Sequence, residues 1–330
     1  MRLFAAACAL LALLGGRALA DETPIASLAD GRTGKIWFES LTPTGYFQLA
    51  RRAVTEKTVI FGTLVLPPSA KGRVPAMIIA HGSAGVRDSR EFWWAEQLTG
   101  IGVAAFVIDS FAPRGIKETA TDQTQLSSAA NLADAFTALK LLATHPRLDP
   151  ARIGVMGFSR GGVVAELSAL EPYRRAVIDD ATRFALHVPL YPACSDWHVS
   201  AHVTGAPMLF MLGGRDDYTL PGPCRGYAEW FRSKGADVAV IVYPNAYHGF
   251  DGELAPRYLA RLVTGRNCEG LIDIDRFTVA IRSTGQDITA RARTYYRDCM
   301  GKGVTVGGDD EARRRAPEDV KAFLKRVFGM

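Results

Sequence analysis

Residues 153–170 read IGVM GFSRGG VVAELSAL: a strand-like apolar run, then Gly157-Phe158-Ser159-Arg160-Gly161-Gly162, then a run with helical spacing. A G-x-S-x-G stretch between strand and helix is a sharp turn that pushes the serine hydroxyl out at the carboxyl end of a sheet. Gly157 and Gly161 leave room for the tight backbone, which makes Ser159 the candidate nucleophile. An alcohol is a poor nucleophile near neutral pH, so Ser159 needs a base, and the base needs a third group to orient it.

In this kind of fold the acid and then the histidine follow the serine along the chain. Asp216 lies 57 residues after Ser159, in Gly213-Gly214-Arg215-Asp216-Asp217 just beyond the apolar run PMLFML. His248 lies 32 residues further, in Asn245-Ala246-Tyr247-His248-Gly249-Phe250 beyond VAVIVY. Both are loops at carboxyl strand ends, where such sheets bind ligands. Asp216 is preferred as the first acid after the Gly-Gly turn, with Asp217 as the alternative. Tyr247 and Phe250 are read as packing residues. A developing oxyanion needs two fixed donors. One is expected from the backbone of Arg160, directly after the nucleophile; the other from His81-Gly82-Ser83-Ala84-Gly85, with Ser83 as donor and Ala84 as alternative. His81 is read as a structural residue of that turn.

Apolar runs flank the serine turn on both sides with helical patterns between them. Thr58–Leu66 reads as an early antiparallel strand, and 76–80, 103–109, 153–156, 185–191, 207–212 and 237–243 read as buried strands. Helical spacing covers 91–100, 126–144, 161–170 and 225–234. This alternation builds an α/β fold with a mostly parallel central sheet and helices on both faces. With no repeat and no Pro- or Ser-rich linker, residues 21–330 are expected to form a single domain. A less regular insertion is expected at about 251–308. A final helix is expected to begin at Ala316-Pro317-Glu318-Asp319, where proline and acids mark an N-terminus. Arg313-Arg314-Arg315 is read as its solvated entry.

The chain has 330 residues, 48% hydrophobic and 22% charged, an ordinary globular composition that excludes disorder. Met1–Ala20 carries one early charge at Arg2, an apolar run of 12 residues from Leu3 to Leu14, and Ala18-Leu19-Ala20. This reads as a signal peptide with an A-x-A cleavage site; spanning a bilayer takes roughly 20 apolar residues. The mature chain then begins at Asp21 and is exported, periplasmic or secreted, with no membrane partner after cleavage. Removing Arg2 and Arg17 leaves 37 basic against 34 acidic residues, too weak a bias for a nucleic-acid partner. Cys194, Cys224, Cys268 and Cys299 then remain, an even count that permits two disulfides in an exported chain. Four cysteines allow three connectivities. Cys194–Cys224 and Cys268–Cys299 are favoured, because the first pair follows consecutive strands at one sheet end and the second shares the insertion.

The stretches HGSAG (81–85), DSFAPRG (109–115), HPRLDPARIGVMGFSRGG (145–162), GGRDD (213–217) and YHGFD (247–251) together resemble the dienelactone hydrolase family of the α/β-hydrolase superfamily. The resemblance implies an α/β-hydrolase fold and hydrolysis of a small-molecule ester or lactone through an acyl-enzyme, without metal or organic cofactor. The namesake enzymes carry cysteine where this chain has Ser159, and a serine-bearing exported relative looks more like a general carboxylesterase.

Arg114, in the DSFAPRG loop, is expected either to touch substrate or to brace the loop, and Trp197 and His198 either to line the pocket or to pack. Cys194, His198 and His202 have ligand-like spacing, but Pro192 and an oxidising compartment argue against a metal. Two rival readings are a serine peptidase of the same fold and a non-enzymatic binding protein on a hydrolase scaffold; the complete set of three triad residue types speaks against the second.

Overall fold

The computed structural model describes residues 22–68 and 71–330; the signal segment expected at 1–20 lies outside the described residues. In chain order the elements are β1 (Gly34–Leu41), α1 (Tyr46–Ala50), β2 (Lys57–Val65), β3 (Val74–Ala80), α2 (Trp93–Gly100), β4 (Ala104–Asp109) and α3 (Ser128–Leu142). Then follow β5 (Leu148–Phe158), α4 (Arg160–Leu167), α5 (Glu171–Val177), β6 (His187–Leu190), β7 (Trp197–Val199), β8 (Met208–Gly213), α6 (Pro221–Ser233) and β9 (Val238–Tyr243). The chain ends in β10 (Arg257–Thr264), β11 (Gly270–Asp273), β12 (Thr278–Ile281), α7 (Ala292–Cys299), β13 (Gly301–Val306) and α8 (Asp310–Phe328).

Among the described residues the main sheet has eight strands in the order β1-β2-β4-β3-β5-β6-β8-β9. Strand β2 runs antiparallel to both neighbours, and every pairing from β4 to β9 is parallel. The parallel strands read as unbroken apolar runs because both faces are covered. Strand β3 shows how: Ala76, Ile78 and Ala80 point into one core with Leu132 and Phe136 of α3 and Phe231 of α6. Met77 and Ile79 point into the other, with Trp94 and Leu98 of α2 and Phe323 and Leu324 of α8. Each of these larger side chains contributes roughly 1.5–3 kcal/mol by burial.

All seven strands expected from the sequence form, as do the four expected helices, with boundaries shifted by a few residues. The region read as irregular is not: β10 pairs antiparallel with β13, and the β11–β12 hairpin adds to β7 in parallel. Its strands are short and partly exposed, so no long apolar run marks them.

The last helix also departs from expectation. It starts at Asp310, where Asp309 Oδ1 accepts the Ala312 amide at 2.8 Å, and Asp310 and Glu311 fill its first turn. Pro317 lies inside it rather than at its start. The Asp-Asp-Glu signal outranks the proline because capping and the helix dipole favour acids there. Arg313 is correspondingly not solvated: it stacks at 4.0 Å on the Trp93 ring and donates to the Asp251 carbonyl.

Both cysteine pairings favoured from the sequence are present, Cys194–Cys224 with a Cα separation of 4.9 Å and Cys268–Cys299 with 5.2 Å. Crosslinks across 30 and 31 residues each constrain the unfolded chain by roughly 3–4 kcal/mol in the chain-entropy view.

A proline inside a helix removes one backbone hydrogen bond and crowds the preceding turn. Pro317→Ala is therefore expected to raise stability by about 1–3 kcal/mol after allowing for the extra freedom of the unfolded chain. Urea unfolding checks this; an unchanged or lowered midpoint would contradict it.

Candidate active site

Ser159 sits between β5 and α4 with φ 55° and ψ −111°, a conformation that a side-chain-bearing residue rarely adopts. The surroundings enforce it. The Ser159 amide donates to the Leu190 carbonyl of β6 at 3.0 Å. A Cβ at Gly157 would collide with the Gly161 carbonyl oxygen, and one at Gly161 with the Ala80 carbonyl oxygen of β3. Only glycine lets α4 begin this close to the sheet.

The structure brings Asp216 and His248 together. Asp216 Oδ2 lies 2.8 Å from His248 Nδ1, and both side chains are almost fully buried. Oδ1 of the same carboxylate accepts the amides of Tyr218 and Thr219, each at 2.8 Å. The imidazole is wedged between the rings of Tyr191 (4.8 Å) and Tyr218 (4.5 Å). Asp217, the alternative acid, points elsewhere, with Oδ1 accepting the Thr305 amide at 2.7 Å. No hydrogen bond joins Ser159 to His248 among the described residues. Ser159 lines a cavity of about 220 Å³ together with Tyr218 and Thr219, the two residues that contact the His248 ring. Catalytic hydrogen bonds are often long without substrate.

Ser83 and Arg160 line the same cavity. Neither of their amides, nor that of Ala84, donates a hydrogen bond within the protein among the described residues, so these N–H groups are free to meet a ligand oxygen. His81 holds the turn as expected: its Nε2 accepts the Ser110 amide at 3.1 Å, so Nδ1 carries the proton and donates to the Gly82 carbonyl at 2.8 Å. Burial lowers the His81 pKa and keeps the ring neutral.

Two side chains here gave no sequence signal. Gln123 accepts from Arg160 Nη1 at 2.6 Å and donates to Ser83 Oγ at 3.0 Å, tying the two free-amide residues together. Thr219 places its hydroxyl 2.9 Å from Asp216 Oδ2, 3.0 Å from His248 Nδ1 and 3.1 Å from the Tyr191 carbonyl. A glutamine in a short loop and a threonine in a turn are too common to stand out. The Arg160 guanidinium is held by Asn131, Gln123 and the Leu126 carbonyl and meets no carboxylate among the described residues. Burial pushes its pKa down to about 10, so it remains a cation at the cavity wall.

Arg114 and Trp197 are not among the residues lining this cavity. Arg114 makes a two-pronged bond to Asp134 (2.8 and 3.0 Å) and also donates to the Ser110 carbonyl, bracing its loop. Trp197 stacks on Tyr227 at 5.5 Å and lies under Arg282. His198 is buried, bonded through Nδ1 to the Tyr173 hydroxyl at 2.6 Å.

Beneath the site lies a buried polar network. Asp251 accepts from the Tyr191 hydroxyl at 2.6 Å and from Trp94 Nε1 at 2.8 Å, with Arg90 Nε at 3.7 Å. The neighbouring Glu91 is fully buried, and burial, only partly offset by Arg90, pushes its carboxyl up to about 7.

With this geometry the chain defines an α/β-hydrolase. Residues 60–265 match the model of the dienelactone hydrolase family, more than half of the chain, and the protein belongs to that family. It is a carboxylic ester hydrolase. A protein of Synechocystis sp. named "Putative carboxymethylenebutenolidase" is 25% identical over 195 residues, 56% of this chain and 78% of that protein. One of the same name from Methylorubrum extorquens is 25% identical over 210 residues, covering 58% and 69%. Among solved structures, the native form of esterase Est2 of Thermogutta terrifontis aligns with a TM-score of 0.48 and 18% identity, over 59% of this chain and 80% of that one.

Glu91 makes stability depend on pH. Between pH 4.5, its ordinary value, and about 7 the folded protein keeps a proton that the unfolded chain releases. Stability therefore falls as pH rises through that window, by on the order of 3 kcal/mol. Glu91→Gln is expected to remove this component, so the variant should gain stability relative to wild type, by on the order of 3 kcal/mol, from pH 4.5 to 8 in urea unfolding. Parallel profiles would refute the assignment.

Proposed function

We propose that residues 21–330 form one exported α/β-hydrolase domain, with an inserted segment at about 251–308, that cleaves carboxylic esters or lactones through an acyl-enzyme. The observation that carries this reading is the Asp216–His248 pair at 2.8 Å, joined through Tyr218 and Thr219 to the cavity holding the strained Ser159. Asp216 accepts a hydrogen bond from His248 Nδ1–H, which fixes the tautomer and leaves Nε2 as the base for the Ser159 hydroxyl. The serine oxygen attacks the ester carbonyl, and the free amides of Ser83 and Arg160 receive the developing oxyanion. His248 then returns the proton to the leaving alcohol, and water deacylates the enzyme by the same route in reverse. The Arg160 guanidinium adds a fixed positive charge nearby.

The two disulfides are compatible with export to a periplasmic or extracellular space. Among the described residues no helix is long and apolar enough to cross a membrane.

Hydrolysis of p-nitrophenyl acetate and octanoate by the mature chain tests the reading. Ser159→Ala is expected to lower kcat by about 10⁴-fold or more and Asp216→Asn by about 10⁴-fold, with no comparable loss in Asp217→Asn. Activity surviving in Ser159→Ala would sink the mechanism. Serine-dependent cleavage of a peptide panel with both esters untouched would favour a peptidase instead.

A further inference from the structure

Adjacent acids on one loop hold different parts of the molecule. Asp216 binds His248, whereas Asp217 binds Thr305 of β13, accepting its amide at 2.7 Å and its hydroxyl at 3.1 Å. Two residues on, the Gly307 amide donates to the His248 carbonyl at 3.0 Å, and Val306 bridges to His248 in parallel register. The end of β13 is thus fastened to the acid loop and the histidine loop at once. Its partner β10 is fastened too, with Thr264 Oγ1 donating to the Tyr218 carbonyl at 2.8 Å and the Val263 amide to the Ala120 carbonyl at 2.9 Å.

This anchoring brings the other end of the β10–β13 ribbon over the serine. Val263, Gly265, Arg266 and Met300 line the cavity that contains Ser159. The Cys268–Cys299 bridge ties the two strands together beside these residues, since Cys268 follows Arg266 by two and Cys299 directly precedes Met300. Arg266 Nη1 donates to the Asp217 carbonyl, closing a second link between the ribbon and the same residue. The cavity, which opens to solvent beside the half-exposed Met300, has a volume of about 220 Å³, below the roughly 300–1,000 Å³ of ordinary ligand sites.

We propose that the β10–β13 ribbon is the specificity wall of the ester site, limiting it to short acyl chains, with Met300 as the residue that sets chain length and Asp217 as the positioning residue that clamps the wall to the catalytic loops. This rests on the reading of Ser159 as nucleophile. Truncating Met300 opens the end of the cavity without touching the triad. Removing the Asp217 carboxylate frees β13 from the acid loop, so the wall loosens and His248 loses one of its supports. Asparagine at 217 keeps an oxygen for the Thr305 amide and an NH₂ for its hydroxyl, and so preserves the clamp.

The test compares kcat/KM on p-nitrophenyl octanoate and acetate for wild type, Met300→Ala, Asp217→Ala and Asp217→Asn, beside Ser159→Ala and thermal melts of each. Met300→Ala is expected to raise the octanoate-to-acetate ratio about tenfold, the scale at which apolar pockets discriminate chain length, with Tm nearly unchanged. Asp217→Ala is expected to raise the same ratio and to lower kcat on both esters, and Asp217→Asn to restore wild-type behaviour. Serine-dependent hydrolysis with an unchanged ratio in Met300→Ala overturns the proposal while leaving the ester reading intact. A Tm loss in Asp217→Ala with an unaltered ratio also overturns it, by making the clamp purely structural; should that variant fail to fold, Met300→Ala decides. A wild type inert on both esters overturns both readings.

Discussion

The first turn of α4 runs against β3 so closely that a methyl group at position 161 has nowhere to go but into the Ala80 carbonyl. That contact forces the chain to reverse at Ser159 and holds the residue at positive φ. The strain, typically about 1–3 kcal/mol for such a conformation, is sustained by the parallel pairing of β5 with β3 and β6 and by two cores that clamp the sheet from both sides. In return Ser159 and Arg160 line the same small cavity, at the carboxyl ends of the strands where the loops after β3, β6 and β8 converge.

Around that fixed point the polar groups are supported in layers. Asp216 has one oxygen saturated by backbone amides and the other committed to His248, so neither ring nor carboxylate is free to rotate. Tyr191 backs the imidazole, and its hydroxyl is tied to Asp251, itself held by Trp94. Such a network is costly to leave half-satisfied in a low-dielectric interior and rigid when complete. Glu166 on α4 shows the other solution. Buried without an ion-pair partner among the described residues, it is kept neutral because burial raises its pKa well above the ordinary value.

Much of the architecture was legible along the chain because period and punctuation are local properties. The parallel strands announce themselves as apolar runs since both their faces are buried, and G-x-S-x-G marks its own turn because only glycine relieves the clashes there. The disulfide pairing was readable from topology. The inserted strands were not, since partly exposed residues such as those of β10 carry no apolar signature and owe their form to pairing with β13. Pro317 misled for a related reason: its rule describes the commonest position of proline, and the Asp309 cap and burial of Ala312 and Ala316 outweighed it.

What the sequence by itself determined was the sheet, the glycine-framed turn at Ser159 and the family, because each depends on residue types at fixed spacing. Which of two neighbouring aspartates meets the histidine, that Arg114 braces a loop while Trp197 packs away from the cavity, and that Gln123 and Thr219 complete the site were decided only by the tertiary structure. Asp216 and Asp217 are chemically identical and adjacent; the turn after β8 points one carboxylate at β9's loop and the other at β13, and those partners lie 32 and 88 residues away along the chain. Such choices belong to three-dimensional proximity, which no local pattern encodes.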